Sequence, residues 1–229
     1  MVWKSTLKKF VMGNLVRKEL VPIPTLYGNL LEGRSALITG GTSGIGYSIA
    51  EVFLRNGCEV VITGRNQNRI DAALNSLGVG CPVHGLVLDG ANVEAFEEGL
   101  RTAIDRTSSK KIDILVNNAG VNRGDGFKST VDDWDIVMDV NLRGAYFMSQ
   151  KVAKYMKDEG IEGNILNVSS SSALRPADRP YTLSKWGVRG MDLGACQSPH
   201  PIWHSRKRLG SWPDGNADAS RQGCGLFGE

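Results

Sequence analysis

Apolar runs alternate with helix-like segments along the chain from residue 35 onward. Five of the runs are rich in apolar residues without a strict alternation, which is typical of strands that are buried on both faces. These predicted strands cover residues 35–39, 59–63, 83–89, 112–117 and 164–169. The predicted helices cover 44–56, 92–107 and 131–157, and a last helix begins near Tyr181. A further helix is predicted to be capped by Asn66 and to end at about Leu77. The alternation predicts the α/β class, with a Rossmann-type doubly wound parallel sheet and helices on both of its faces.

A glycine-rich run, Thr39-Gly-Gly-Thr-Ser-Gly-Ile-Gly46, joins the first predicted strand to the first predicted helix. Glycines at this place allow a tight turn and let the backbone amides at the helix N-terminus approach a pyrophosphate. A plain tight turn is the alternative, but the strand before and the helix after favour a dinucleotide site. Its candidate residues are Gly40, Thr42, Ser43, Gly44, Ile45 and Gly46.

Further candidate cofactor contacts follow the next three predicted strands. Where an acid would bond the 2′-hydroxyl of NAD, the chain has Gly64 and then Arg65, and a guanidinium suits a 2′-phosphate. We therefore favour NADP(H) over NAD(H), against the alternative that Arg65 is a solvated loop charge. Asp89 either accepts a hydrogen bond from the adenine amino group or is a simple turn residue. Small and amide residues after the fourth strand let the backbone approach the cofactor: Asn117, Ala119 and Gly120.

Tyr181 and Lys185 are four residues apart, which places them on one face of the last predicted helix. A free tyrosine titrates near pH 10, and a neighbouring cation favours its ionised form. Lys185 could supply that charge and also bond the nicotinamide ribose. The alternative is an exposed helix face that carries no chemistry. Downstream of the glycine-rich run, the pair predicts proton transfer coupled to the hydride transfer of a cofactor.

Two further sets of polar residues are candidates for the same site. Residues 169–172 are four serines after the fifth predicted strand, and one of their hydroxyls could hold a substrate carbonyl while the others form a polar loop. Asn141 is a polar residue within a helix-like stretch. It could hold a water molecule in a proton relay, or it could cap or kink the helix.

Composition and charge exclude several classes of protein. The chain has 229 residues, enough for one large domain, and a net charge of +3. Residues 1–28 carry five basic groups and one acid, so the remaining residues carry a net charge of −1. A near-neutral body argues against nucleic acid as the partner. Four cysteines without a CxxC pair, and no apolar run of transmembrane length, predict a cytoplasmic protein with free thiols.

The basic N-terminal extension, residues 1–28, is predicted to stand apart from the domain. One face of a possible helix is apolar and its other positions carry lysines, a pattern that can lie on an anionic membrane. The apolar residues are Trp3, Leu7, Phe10 and Val11, and the lysines are Lys4, Lys8 and Lys9. We favour the simpler interpretation that this arm packs on the body or on a sister subunit.

Taken in order, the motifs TGGTSGIG, NNAG, VNLRG, NVSS and YTLSK resemble those of the short-chain dehydrogenase/reductase family, over about residues 29–194. The resemblance implies a catalytic tetrad of Asn141, Ser170, Tyr181 and Lys185. Tyr181 would be the acid–base, Lys185 its activator, Ser170 the group that orients the carbonyl, and Asn141 the support of the relay. Ser170 and Tyr181 are eleven residues apart, about two fewer than is usual in the family, which leaves Ser169 or Ser171 open as the catalytic serine.

The same resemblance implies an NAD(P)-dependent oxidoreductase that reduces a carbonyl or oxidises a secondary alcohol, with 4-pro-S hydride transfer and no metal. Acyl-thioester ketones (as in 3-oxoacyl-ACP reductases), sugars and polyols, or small ketones are all allowed as substrates. The family also often forms dimers or tetramers through the helices around 131–157 and 181–195. Because the final strand that helps to form tetramers is not evident in this sequence, a homodimer is expected. The alternative is a catalytically inactive dinucleotide-binding or assembly protein, since a substrate lid is not evident in the sequence.

The resemblance stops after Gly194. The family continues with a sixth strand, a Pro-Gly turn, a lid and a seventh strand, whereas residues 196–229 show no comparable pattern. Read in a shifted frame with free choice of codons, residues 195–217 can give LAKALIPYGIVVNGLAPGPTAM, which resembles the missing part. We therefore hypothesise a frameshift that leaves the domain, residues 29–195, truncated after the fifth strand and its following helix, with 196–229 as an aberrant, disordered tail.

A metal site is the competing interpretation of the C-terminal segment. Three of its Cys and His residues have helical spacing, and a fourth could complete a tetrahedral zinc set: Cys196, His200, His204 and Cys224. Pro199 and Pro201 would break such a helix, and the spacing matches no strong zinc signature. We therefore expect no metal.

Overall fold

The computed structural model of the chain describes residues 28–197. The amphipathic arm, the zinc set and the frameshift hypothesis concern residues that lie wholly or mostly outside this range, and they stay predictions. Within it, five strands form one parallel sheet in the order β3-β2-β1-β4-β5. The strands are β1 Ser35–Ile38, β2 Glu59–Gly64, β3 Val83–Val87, β4 Ile114–Asn117 and β5 Asn164–Asn167. The predicted fold class is confirmed, and the strand order reverses between β1 and β4, where open α/β sheets bind ligands.

Six α-helices accompany the strands in the described part of the chain. They are α1 Gly44–Arg55, α2 Gln67–Leu77, α3 Phe96–Arg106, α4 Val131–Met138, α5 Ala145–Asp158 and α6 Pro180–Gln197. The Asn66 side chain caps α2 as the sequence predicts, because its Oδ1 accepts a hydrogen bond of 3.1 Å from Arg69 N. No helix among residues 28–197 is both long and apolar enough to span a membrane.

The apolar core lies on both faces of the sheet. Successive residues of β1 point to opposite faces, so Leu37 joins one buried cluster and Ile38 the other. Phe96 of α3 and Met148 of α5 cover the first cluster, and Ala50 of α1 lies in the second. Each fully buried Leu, Ile, Phe or Met side chain contributes about 1.5–3 kcal/mol to the free energy of folding. Burial on both faces explains why the central strands β1, β2 and β4 are mainly apolar in sequence. The edge strands β3 and β5 are less buried and include polar residues such as His84 and Asn164.

The predicted continuous helix over residues 131–157 is wrong in one respect. A π-helical turn, Asp139–Gly144, separates α4 from α5. The helix passes so close to the turn after β3 that a Cβ at Gly144 would collide with Gly90 O. π-helical turns often occur at functional sites, and this one carries Asn141.

Candidate active site

Two glycine-containing loops pack against each other at the carboxyl ends of β1 and β4. Gly40 and Gly44 have φ angles of +66° and +58°, which favour glycine. A Cβ at Gly40 would lie 2.9 Å from Ala119 Cα, and a Cβ at Gly46 would collide with Asn118 Nδ2. The glycines of the first loop are therefore required by the second loop as well as by their own backbone conformation.

Hydrogen bonds from Thr39 and Asn118 lock these two loops together. Thr39 Oγ1 accepts from Asn118 N at 3.0 Å and from Ala119 N at 3.1 Å. Asn118 Nδ2 donates to Thr39 O at 3.1 Å and to Gly40 O at 3.0 Å. Sequence reasoning did not single out either residue as part of the site. The available signal was that each lies within a motif, at the end of a predicted strand.

The N-terminus of α1 is open toward an anion. Within the described residues, Ser43 makes no side-chain capping hydrogen bond, and the first turn of α1 contains no acid. The first backbone N–H groups of a helix have no intrahelical acceptor, so they remain available to a ligand. A Cβ at Gly44 would meet open space, and the Ser43 and Ile45 side chains are exposed. This turn fits the pyrophosphate of a dinucleotide.

Arg65 and Asp89 follow β2 and β3 at the same end of the sheet. Arg65 is exposed and comes directly after Gly64, where a Cβ would lie only 2.8 Å from Thr42 Cγ2. A carboxylate side chain at position 64 would therefore require Thr42 to move. Asp89 Oδ1 accepts from Ala91 N at 3.0 Å, so this carboxylate also shapes its own turn.

Asn117 is buried, and its side chain forms hydrogen bonds with other buried polar side chains. Its Nδ2 donates to Asn167 Oδ1 and to Ser149 Oγ, both at 2.7 Å. Asn167 Nδ2 in turn donates to Asp192 Oδ1 of α6 at 2.6 Å. Burial raises the pKa of Asp192 to about 6, although the bond from Asn167 works in the opposite direction. Sequence reasoning missed Ser149, Asn167 and Asp192, which no motif spacing joins.

Asn141 connects the turn after β4 to α6. Its Oδ1 accepts from Val121 N at 2.7 Å, and its Nδ2 donates to Val121 O at 2.9 Å and to Ser184 Oγ at 3.1 Å. Ser184 Oγ donates to Tyr181 O at 2.7 Å. Asn141 is 1% exposed, and its amide group forms hydrogen bonds that join the turn after β4 to α6.

Lys185 is buried beside Tyr181. Its Nζ donates to Val168 O at 2.7 Å and lies 5.9 Å from the centroid of the Tyr181 ring. Burial lowers the pKa of Lys185. A Cβ at Gly120 would lie 3.4 Å from Asn141 Oδ1 and 3.8 Å from Lys185 Nζ, so the loop after β4 reaches the same place. The structure therefore brings Gly120, Asn141, Tyr181 and Lys185 together.

The serines after β5 differ in their contacts. Ser169 Oγ donates to Lys185 O at 3.4 Å, and Ser171 is exposed. Ser170 has an extended backbone and begins a short 3₁₀ helix, Ser171–Leu174. Its Oγ accepts from Ser172 N at 3.1 Å and bonds Ser172 Oγ at 3.0 Å.

Comparison with known proteins shows which proteins this chain is similar to. A family model described as short chain dehydrogenase matches residues 34–198. Gluconate 5-dehydrogenase of Gluconobacter oxydans is 36% identical over 168 residues, which are 72% of this chain and 64% of that protein. The NADP-dependent (R)-specific alcohol dehydrogenase of Lentilactobacillus kefiri is 35% identical over 171 residues, with coverages of 72% and 66%. The chain thus spans about two thirds of the length of these relatives.

Solved structures show the same similarity. The apo form of LigD from Sphingobium sp. strain SYK-6 superposes with a TM-score of 0.69 at 30% identity, over 73% of this chain and 72% of that one. The apo form of LigO from the same strain gives a TM-score of 0.67 at 32% identity, over 72% and 62% of the two chains. The residues that the family model matches, 34–198, contain the two glycine-containing loops and α6.

Proposed function

Because this chain belongs to the short-chain dehydrogenase/reductase family, whose members are oxidoreductases that bind a nicotinamide dinucleotide, we propose that it reduces a carbonyl or oxidises a secondary alcohol. The observation that carries the proposal is the meeting of Tyr181, Lys185 and Asn141 beside Gly120. These residues lie at the carboxyl ends of the parallel strands, the end of the sheet that also carries the open N-terminus of α1.

The glycine-rich turn fits the cofactor through its own backbone. Gly40, Thr42, Ser43, Gly44, Ile45 and Gly46 would hold the pyrophosphate at the N-terminus of α1. The backbone of Asn117, Ala119 and Gly120 would approach the cofactor from the facing loop, Asp89 would bond the adenine, and Tyr181 and Lys185 would lie at the nicotinamide ribose. The bound cofactor supplies or accepts the hydride.

The protein's residues supply the proton chemistry. We assign the acid–base role to the Tyr181 hydroxyl, which gives a proton to the substrate oxygen in reduction and takes it back in oxidation. Lys185 is fixed by its bond to Val168 O and favours the ionised form of Tyr181 when it carries its charge. Ser170 would orient the substrate carbonyl, and Asn141 would hold the loop after β4 against α6.

Arg65 is the support for a preference for NADP(H). An exposed guanidinium directly after β2 suits a 2′-phosphate, and Thr42 crowds the position where an acid would bond the 2′-hydroxyl of NAD. The Lentilactobacillus kefiri relative is named as NADP-dependent. NADP(H) is therefore the cofactor we propose.

The substrate is proposed only as a class, a small molecule that carries a carbonyl or a secondary alcohol. Gluconate 5-dehydrogenase, an alcohol dehydrogenase and a 3-oxoacyl-[acyl-carrier-protein] reductase are among the relatives, so their substrate types define the first panel to test. We further propose a homodimer in the cytoplasm, in keeping with the free thiols Cys58 and Cys81. A protein that binds the dinucleotide without turnover is the alternative.

The Tyr181→Phe variant tests the proposal in the full chain. We expect it to lose NADPH-dependent carbonyl reduction by more than about a thousandfold while it retains NADPH binding, because only the hydroxyl is removed. Tyr146→Phe on α5 is the matched control, since that ring is half-exposed and lies outside the proposed tetrad. Tight NADPH binding without turnover of any panel substrate by the wild-type chain would favour the alternative.

A further inference from the structure

The segment that carries Ser170 has little apolar anchorage of its own. Between Ser171 and Arg179, Ala173 is the buried side chain at 3% exposed, whereas Leu174 is 64% exposed. Local backbone bonds from Ala173 N to Ser170 O and from Arg175 N to Ser172 O shape its single turn. A short turn of this kind needs contacts from elsewhere to hold one conformation.

Trp186 provides such contacts from α6. Its indole Nε1 donates to Arg175 O at 3.1 Å and to Ser172 O at 3.3 Å, so one N–H bridges both carbonyls at the end of the turn. Trp186 is the residue next to Lys185 on α6. The indole therefore ties the serine-rich turn to the helix turn that carries the proposed acid–base machinery.

Ser172 links the Trp186 indole to the Ser170 hydroxyl by hydrogen bonds. Trp186 donates to the Ser172 carbonyl, and the N–H of the same residue, in the preceding peptide group, donates to Ser170 Oγ at 3.1 Å. With that lone pair occupied, the Ser170 hydroxyl proton points to Ser172 Oγ at 3.0 Å in this structure. A substrate carbonyl could replace that acceptor without any change in the backbone.

We propose that Trp186 is a positioning residue that holds Ser170 in place for the substrate carbonyl, through the backbone of Ser172. The inference rests on the proposed function, because it concerns the orientation of the substrate. Trp186 touches neither substrate nor cofactor in this assignment. Its indole N–H, rather than the bulk of its ring, is the group that acts.

The test compares Trp186→Phe with the wild-type full chain, since phenylalanine keeps an aromatic ring and removes the N–H donor. We expect the backbone amides of residues 170–175 to exchange with deuterium about tenfold faster, and kcat for carbonyl reduction to fall about tenfold with NADPH binding unchanged. Trp134→Phe is the matched control, because this tryptophan is similarly exposed, at 42% against 47%, and lies on α4.

A Ser170→Ala background separates positioning from a general loss of structure. If Trp186 acts through Ser170, adding Trp186→Phe to Ser170→Ala lowers kcat no further. The inference is overturned if exchange of residues 170–175 is unchanged, or if Trp186→Phe costs as much activity with Ser170 absent as with it present. Should the wild-type chain show no turnover, the proposed function fails by itself, and the exchange measurement alone decides the inference about Trp186.

Discussion

Ionisable side chains near the amino ends of the strands have different hydrogen-bond and ion-pair partners from those near the carboxyl ends. At the amino ends, the buried Asp113 carboxylate accepts from Ser35 N at 3.0 Å and pairs with Arg34 at 3.1 Å and with Lys111 at 3.0 Å. Glu59 is held in the same manner by His84 and Ser108. Burial alone would raise the pKa of Glu59, but the bonds from His84 and Ser108 hold it below its usual range.

At the carboxyl ends, the buried ionisable groups face neutral partners. Lys185 bonds a backbone carbonyl and Asp192 bonds an amide, and burial shifts the pKa of each toward its uncharged form. Such groups cost stability, since a buried charge is compensated fully only by an opposite charge. The ionisable groups near the amino ends are therefore paired in a way that adds stability. Those near the carboxyl ends lack a counter-charge among residues 28–197, which fits the proposed function because perturbed ionisable groups are common at functional sites.

The largest expected effect comes from breaking the amino-terminal clamp. Asp113→Ala leaves the Ser35 N–H without its acceptor and leaves two cations without their counter-charge, so we expect a loss of about 4 kcal/mol in the free energy of unfolding. Urea unfolding measures it. Asp105→Ala, at an exposed position on α3, should change stability by less than about 0.5 kcal/mol. Equal stabilities of the two variants would remove the contrast between the ends.

Asp192→Asn tests the opposite end of the sheet and should stabilise the protein. The raised pKa of Asp192, about 6, means that the folded state favours the protonated form, so its cost is absent below pH 4 and grows as the pH rises to 6. We expect the variant to gain about 3 kcal/mol at pH 8 and almost nothing at pH 4.

Comparing variant and wild type at each pH cancels the contribution of Glu59, whose lowered pKa gives stability that is lost as the pH falls. Urea unfolding across this range measures the difference. A pH-independent difference would show that Asp192 is not the titrating group.

Arg65→Ala tests whether a charge at the carboxyl ends of the strands selects NADPH over NADH. We expect the Kd for NADPH to rise about 30-fold, equivalent to ~2 kcal/mol, because its 2′-phosphate loses the guanidinium as a partner. The Kd for NADH should stay within about twofold, because NADH has no 2′-phosphate. Isothermal titration of the full chain measures both constants. Arg69→Ala on α2 is the control for a nearby exposed charge. A parallel weakening of both cofactors would remove Arg65 from the choice between them.

The sequence by itself determined what depends on local spacing. Apolar-rich runs predicted β1 to β5, Asn66 predicted the start of α2, and the four-residue interval placed Tyr181 and Lys185 on one helix face. Such features follow from the periods of strands and helices, and from glycine's freedom at turns, so neighbouring residues suffice to predict them. The family resemblance rested on the same local motifs and is confirmed.

Only the tertiary structure decided which distant groups meet. Asn141 bonds Ser184 across 43 residues, and Asn117 bonds Asn167 across 50. The π-helical turn exists where the helix crosses the turn at Gly90, a contact that residues 131–157 do not encode in their own pattern. An amide or an indole N–H can bond many acceptors equally well, so its partner is set by which elements pack together, and that depends on the whole chain.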